Sequence, residues 1–242
     1  MNIWLIGSKG FVGSAVMRKL SCSHKVFGVS SKDKFGCGSF ENTDFVVNCA
    51  GNSKRWLVES DPTEALWNEK KIMELITKII SESPKAKIIH ISSVCAGDET
   101  PYGDLKLQME DYIYDFDYWC VLRLVGLVGE NLRKNVIFDW IHGRSIRVSP
   151  YSVYNFISTA EVAGVVEYLI NNWKEGMILN VGASESILLQ DIFKLRKGVT
   201  PFFMPGDLPC EVYNIDVSEL QKFYSVKTSK EYLEEFLNGQ VA

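Results

Sequence analysis

The 242-residue sequence has no Cys-x-x-Cys pair and only three histidines. Its six cysteines, at 22, 37, 49, 95, 120 and 210, follow no regular spacing, and His24, His90 and His142 are dispersed. A zinc-type ligand set is therefore not expected, and reduced thiols in a cytosolic protein fit the pattern. An excess of positive charge is missing too: 26 Lys and Arg stand against 30 Asp and Glu, for a net charge of −4. Without a basic field a nucleic-acid partner is not expected. Lys70-Lys71 and Arg144 to Arg147 are short runs suited to solvated faces. No segment approaches the ~20 apolar residues needed to cross a bilayer. The opening Met1 to Gly7 has no charged leader ahead of its short apolar run, so a signal peptide is not expected. These absences point to a cytoplasmic chain with no metal, nucleic-acid or membrane partner. Internal repeats, low-complexity stretches and linkers are absent as well.

What is present is an ordinary globular composition, 46% hydrophobic and 23% charged. The length suits one α/β domain, or a dinucleotide-binding domain with a small appendage. Short apolar runs alternate with helical periods, as in βαβ units with a parallel sheet. Strands are expected at Ile3 to Ile6, Val26 to Val29, Asp44 to Cys49, Lys87 to Ile91, Trp119 to Leu124 and Met177 to Val181. Phe45-Val46-Val47 is wholly apolar, as in a strand covered on both faces. Helices are expected at Phe11 to Leu20, Pro101 to about Tyr114, about Lys134 to His142 and Thr159 to Asn171. Shorter helical stretches are expected near Leu188 to Leu195, Val217 to Phe223 and Ser229 to Leu237. A long helix opens at Asp61-Pro62-Thr63-Glu64, with Asp61 as N-cap, Pro62 in the first position and Glu64 completing a capping box. It should run to about Ser81, before Pro84.

Gly7-Ser8-Lys9-Gly10-Phe11-Val12-Gly13 directly follows the first strand and opens the first helix. Three glycines at this spacing permit a tight turn, close approach of backbone to a pyrophosphate, and helix-to-strand packing. The helix N-terminus then offers N–H groups to phosphate oxygens. The plain alternative is a glycine-rich turn without a ligand. After the second strand the chain reads Val29-Ser30-Ser31-Lys32-Asp33. An acidic residue at Ser30 would bind a ribose 2′-hydroxyl and repel a 2′-phosphate. Two hydroxyls and the cation Lys32 favour the 2′-phosphate of NADP(H) over NAD(H), while Asp33 argues weakly the other way.

Tyr102-Gly103-Asp104-Leu105-Lys106 places a phenol and an ammonium four residues apart, on one face of a helix. A free tyrosine ionises near ~10, too high for base chemistry, and close cations favour the phenolate. Tyr102 could then exchange a proton with a substrate oxygen. A solvated helix face is the plain alternative. Context argues against it, because Lys87 to Ser93 is a strand ending in paired serines just upstream.

Together these features resemble the extended short-chain dehydrogenase/reductase family, the NAD-dependent epimerases and dehydratases, in a compact form. The turn Gly-x-x-Gly-Phe-Val-Gly and the run Tyr102-Gly103-x-x-Lys106-Leu107-x-x-Glu110 carry the likeness. So do Asp44 to Gly51, Arg123 with Val128-Gly129, Phe156 to Ala163, and Asn180-Val181-Gly182. The resemblance implies Ser93 as the catalytic hydroxyl, with Ser92 as second choice, and Asn68 in the long helix as a supporting residue. It implies Gly7, Lys9, Gly10, Phe11, Val12, Gly13, Ser30, Ser31, Lys32, Cys49, Ala50, Gly51 and Lys106 along the cofactor. A homodimer is implied by the family alone.

The sequence also departs from that family. Only nine positions separate Ser93 from Tyr102, and Lys32 to Thr43 leaves no room for the usual helix. Gly38-Ser39-Phe40 stands where Gly-Asp-Ile/Leu is common, Gly126 replaces an Asn, and Tyr154 replaces an Arg that grips a nucleotide pyrophosphate. Arg144, Arg147 or Lys134 could substitute for that Arg. Val94-Cys95 stands where the 4,6-dehydratases carry Asp-Glu, which disfavours dehydration. Cys95 fits a small apolar filler better than an extra acid/base. His90 is expected to be packed with a satisfied ring, and His142 to cap a helix.

The expected fold is a doubly wound parallel Rossmann sheet with a small α-rich C-terminal substrate lobe. The dinucleotide-binding domain would span 1–130, completed by about 156–182; the lobe would take 131–155 and 183–242. The expected function is hydride transfer between NADP(H) and a sugar or nucleotide-sugar hydroxyl or carbonyl, as a reductase or an epimerase. Tyr102 would be the acid/base, Lys106 would acidify it and hold the nicotinamide ribose, and Ser93 would orient the substrate oxygen. The alternative is a non-catalytic NADP(H)-binding sensor, which would need no acid/base pair.

Overall fold

The computed structural model describes residues 1–30 and 39–239. Ser31, Lys32, Asp33 and Gly38 lie outside the described residues. The chain packs as two units, one of Met1–Arg123 with Val162–Leu179, the other of Leu124–Glu161 with Asn180–Ala242.

The first unit is built from β1 (Asn2–Ile6), α1 (Phe11–Leu20), β2 (Lys25–Val29), β3 (Phe45–Asn48), α2 (Arg55–Ser60), α3 (Pro62–Glu82), β4 (Lys87–Ser93), α4 (Pro101–Tyr114) and β5 (Trp119–Leu124). Further along the chain come β6 (Gly126–Val128), α5 (Val136–Ile141), β7 (Ser145–Ile146), β8 (Val153–Tyr154), β9 (Phe156–Ser158), α6 (Thr159–Asn171) and β10 (Met177–Val181). The remainder is β11 (Ile187–Leu188), α7 (Leu189–Ile192), β12 (Phe202–Phe203), α8 (Ser218–Gln221) and α9 (Ser229–Gly239).

Six strands form one sheet in the order β10-β5-β4-β3-β1-β2. β1 pairs in parallel with both β2 and β3, and β3 with β4, in register Ile3↔Val26, Ile3↔Phe45 and Val46↔Ile88. Strand order reverses beside β1, so the loops at the carboxyl ends of β1 and β3 border one crevice, where such sheets bind ligands. Side chains of a strand alternate between faces. One face buries Ile6, Val46, Ile88 and Val121 against Ile72, Leu75, Ile76 and Ile79 of α3 and Met109 and Ile113 of α4. With both faces covered, all of β3 is buried, and Phe45, Val46 and Val47 make it apolar up to Asn48. Within this unit Lys19 of α1 pairs with Glu167 of α6 at 3.0 Å, and Trp173 meets Phe45 edge to face.

α3 starts as its sequence dictates, with the Asp61 carboxylate accepting from Glu64 N at 2.9 Å and Pro62 in the first turn. The expected capping box is only half formed. The backbone N–H of Asp61 already donates to Leu57 O at 3.0 Å, because α2 runs straight into α3 and leaves Glu64 no donor to reach back to. β4 runs through to Ser93, so that the paired serines Ser92 and Ser93 stand at the strand's end.

In the second unit β6 pairs in parallel with β9, β8 antiparallel with β11, and β7 in parallel with β12. Trp140, Phe156, Leu189, Ile192, Tyr232 and Leu233 are buried. The Ser229 hydroxyl, itself buried, accepts from Phe156 N at 3.0 Å and donates to Glu185 O at 2.6 Å, which ties α9 to β9. Tyr154 donates to the Glu211 carboxylate at 2.6 Å. His142 closes α5 with its ring Nδ1 2.8 Å from Phe138 O, as expected of a capping histidine. Among the described residues no helix is long and apolar enough to cross a membrane, and no group of three or more His, Cys, Asp or Glu is placed to hold a metal ion.

Candidate active site

The glycine turn is shaped by close backbone contacts. Gly7 has φ +81°, a conformation glycine adopts without strain. A Cβ there would come within 2.6 Å of Ala50 N, and one at Gly13 within 2.0 Å of Gly7 O. Gly7 and Ser8 both donate their N–H to Val29 O, at 2.7 and 3.2 Å. Ser30 therefore follows directly beside the turn, and it is buried. Gly10 caps α1 with no side-chain hydrogen bond, and the first turn of the helix carries no acidic residue. Such an end suits an anion, since its N–H groups and dipole are directed at whatever lies in front. The three-glycine cradle thus fits a dinucleotide pyrophosphate. Cys49 and Ala50 pack on Gly7, and burial pushes the Cys49 thiol up to about 12, so it stays protonated.

The other half of the site comes from β4 and α4. Thr100 caps α4, its hydroxyl accepting from Gly103 N at 3.0 Å, and Pro101 opens the helix. This puts Tyr102 in the first turn, where the dipole favours negative charge. The Ser93 hydroxyl accepts from Cys95 N at 3.2 Å and lies close enough to the Tyr102 phenol to favour its ionised form. The Tyr102 ring packs against the small apolar cluster of Val58, Ala65 and Leu105. Lys106 Nζ lies 5.5 Å from the centre of that ring. Ser93, Tyr102 and Lys106 are therefore brought together.

Ser92, the second choice for the hydroxyl, points the other way. It donates to the Glu110 carboxylate at 2.5 Å, inside a buried cluster where Arg123 Nε also meets Glu110 at 3.0 Å and Tyr114 donates to it at 2.9 Å. Strand alternation separates the two serines, and Glu110 takes the inward one.

Asn68 is half-exposed on α3, and the residue facing Lys106 is the next one, Glu69. Glu69 is 1% exposed and Lys106 6%. Glu69 Oε1 stands 3.8 Å from Lys106 Nζ and accepts from Asn52 N at 2.8 Å and Asn52 Nδ2 at 3.1 Å. Glu69 Oε2 has no hydrogen-bond partner among the described residues. The available sequence signal was a charged residue inside the buried stripe Ala65, Glu69, Ile72 and Ile76.

α2 is a second feature that the sequence pattern missed. Its Arg55 stands with the guanidinium carbon 5.9 Å from the centre of the Tyr102 ring and pairs with Asp98 at 3.4 Å. Electrostatics around the phenol are therefore mixed. Burial holds Tyr102 above its ordinary value; Ser93 and Arg55 pull it down, while Cys95 and Glu69 push it up. Burial likewise holds Lys106 below the usual lysine range, opposed by Glu69 and Glu110.

His90 is packed as expected, but its ring is only half satisfied. The Asn48 amide oxygen accepts from Ala50 N at 3.0 Å, so its nitrogen donates to His90 Nδ1, also at 3.0 Å. That assignment puts the ring proton on Nε2, which has no hydrogen-bond partner among the described residues. Burial, helped by the Lys106 charge, pushes His90 down to about 3.

No family model matches the sequence, and no curated protein matches it. Solved structures do match. A UDP-N-acetylglucosamine 4-epimerase from Methanobrevibacter ruminantium, in complex with UDP-N-acetylmuramic acid, gives a TM-score of 0.81 at 18% identity, covering 99% of this chain and 98% of that one. A dTDP-4-dehydrorhamnose reductase from Clostridium acetobutylicum gives 0.79 at 19% identity, with full coverage of both chains. A UDP-glucose 4-epimerase from Bifidobacterium longum, in complex with NAD+ and UDP, gives 0.77 at 18% identity, covering 100% of this chain and 98% of that one. The chain has the Rossmann-type α/β fold of these epimerases and reductases, in agreement with the family its glycine turn and Tyr-x-x-x-Lys pair resemble.

Proposed function

We propose that the protein is a nicotinamide-dinucleotide enzyme that oxidises a hydroxyl-bearing carbon or reduces a carbonyl carbon of a sugar, carried as a nucleotide-sugar, in a reductase or epimerase reaction. The observation that carries this reading is the meeting, in one compact unit, of an anion-ready glycine turn with the Ser93–Tyr102–Lys106 constellation. Fold likeness to nucleotide-sugar enzymes supports the substrate class.

When bound, the dinucleotide would supply or accept a hydride at the reacting carbon. The turn from Gly7 to Gly13, with Lys9, Phe11 and Val12, would hold its pyrophosphate. Ser30, with Ser31 and Lys32, would receive a 2′-phosphate, which favours NADP(H). Cys49, Ala50 and Gly51 would line the path between the two ends. Ser93 would hold the substrate oxygen by a hydrogen bond. Tyr102 would take the hydroxyl proton in oxidation and return it in reduction. Lys106 would donate to the nicotinamide ribose and favour the phenolate.

The test has two stages. Dinucleotide binding is measured by fluorescence titration with NADP(H) and NAD(H), with Gly13→Val as the non-binding control; NADP(H) should bind more tightly. Turnover is then followed with a panel of UDP- and dTDP-sugars, separating net dinucleotide consumption by a reductase from sugar interconversion by an epimerase. Tyr102→Phe should bind dinucleotide and lose turnover by about 100-fold or more. Unchanged turnover in Tyr102→Phe would overturn the assignment of the base. A protein that binds dinucleotide and turns over none of the panel would be a sensor.

A further inference from the structure

Lysine and glutamate are rarely buried unless they are paired, and a buried pair that lacks full hydrogen bonding is costly. Glu69 and Lys106 are both buried, yet their charged atoms stand 3.8 Å apart, beyond hydrogen-bond length. The pair sits directly over Gly51. A Cβ on that residue would come within 3.0 Å of Lys106 Nζ, 3.3 Å of Glu69 Oε1 and 3.6 Å of Oε2. Asn52, the next residue, fixes the carboxylate with its backbone and side-chain N–H groups, and its Nδ2 also donates to Ala65 O at 2.9 Å. The carboxylate is thus anchored to the loop after β3 and to α3, while the ammonium is carried by α4. This places a fixed negative charge beside the cation that the proposed chemistry uses.

We propose that Glu69 is a positioning residue, which holds the Lys106 ammonium beside Gly51 and sets, by partly offsetting it, the net positive charge that the Tyr102 phenol faces. The inference deepens the acid/base role given above to Tyr102 and Lys106 and rests on it. Other groups face the phenol from each element packed on it. Arg55 comes from α2, Ser93 from the end of β4, Cys95 from the following loop, and Lys106 from α4 itself. Lys106 in turn is faced by Glu110 on its own helix and His90 on β4. With Lys106 offset by Glu69, Arg55 remains as a second cation over the ring, itself paired to Asp98 and Glu59. A merely structural Glu69 would hold α3 against α4 and leave the phenol's ionisation unaffected.

The test needs neither substrate nor dinucleotide. The protein is labelled with 13C at the tyrosine ζ carbon, the Tyr102 resonance is assigned with Tyr102→Phe, and its ionisation is followed by NMR against pH. Glu69→Gln should lower the Tyr102 midpoint by about half a unit or more, because the carboxylate that opposes the phenolate is removed. The same substitution made in a Lys106→Met background should lower the midpoint again, because the carboxylate acts on the ring with or without the lysine. If Glu69→Gln leaves a bare buried ammonium and does not fold, the comparison of Lys106→Met with the double variant reads the same carboxylate. A Glu69 substitution that moves the midpoint in neither background overturns the inference. That failure is distinct from failure of the acid/base assignment, which is read from the turnover of Tyr102→Phe.

Discussion

The space that a side chain on Gly103 would need is filled by the backbone of Asp98, whose carbonyl oxygen lies 2.3 Å from the ideal Cβ position. Asp98 N and Cys95 O lie at 2.8 Å from the same point, and Gly97 N donates to Gly103 O at 3.2 Å. The loop after β4 is therefore pressed onto the first turn of α4. That contact allows only nine positions to separate Ser93 from Tyr102 while the two side chains still meet.

Gly103→Ala should force this loop outward without emptying the core. Turnover should fall by about 100-fold, since a displacement of ~1 Å is enough to misalign a hydroxyl and a phenol. Dinucleotide affinity should hold, because the glycine turn lies on other elements. Parallel measurement of turnover and of dinucleotide titration checks both parts.

Arg123→Met should be markedly destabilising. It leaves Glu110, 0% exposed, without its cation while Ser92 and Tyr114 remain as donors. Removing one partner of a buried pair typically costs about 3–5 kcal/mol. Here the Arg123 side chain is 25% exposed, so the loss should fall nearer ~2–3 kcal/mol. Urea unfolding of the two proteins measures it. Glu110→Gln with Arg123→Met should recover part of the loss.

His90 gives the protein an acid sensitivity of defined sign. Its folded-state value, about 3, lies below the unfolded value of ~6.5, so the unfolded chain binds a proton that the folded chain refuses. The stability this contributes is complete above pH ~6.5 and declines as pH falls toward 3, by up to ~1.4 kcal/mol per pH unit. Between pH ~6.5 and ~5, where carboxylates remain ionised, the slope belongs chiefly to His90. Urea midpoints across that window should fall in the wild type and flatten in His90→Leu. An equal slope in both proteins would reject the assignment.

Much of the architecture could be read from local rules. The helices Phe11–Leu20, Pro101–Tyr114 and Thr159–Asn171 and the strands Trp119–Leu124 and Met177–Val181 end where periodicity, prolines and caps say they should. α2 escaped because six residues of Arg-Trp-Leu-Val-Glu-Ser hold too little periodicity, and contacts with α3 and α4 stabilise it instead. The halved capping box at Asp61 has the same origin, since α2 consumes the donor that local pattern assigned to Glu64.

By itself the sequence determined the glycine turn after the first strand and the phenol and ammonium on one helix face, because turn chemistry and the 3.6-residue period act over a few residues. It also confined the candidate base to the first turn of α4 through Thr100 and Pro101. Only the tertiary structure decided which serine faces Tyr102, that Glu69 rather than Asn68 meets Lys106, and that Arg55 stands over the ring. Those choices depend on the rotation of α3 against α4 and on where the loop after β3 returns, which are set by packing between segments distant in the chain. A one-residue step along a helix turns a side chain by ~100°, so a pattern read within one segment cannot select the neighbour it meets on another.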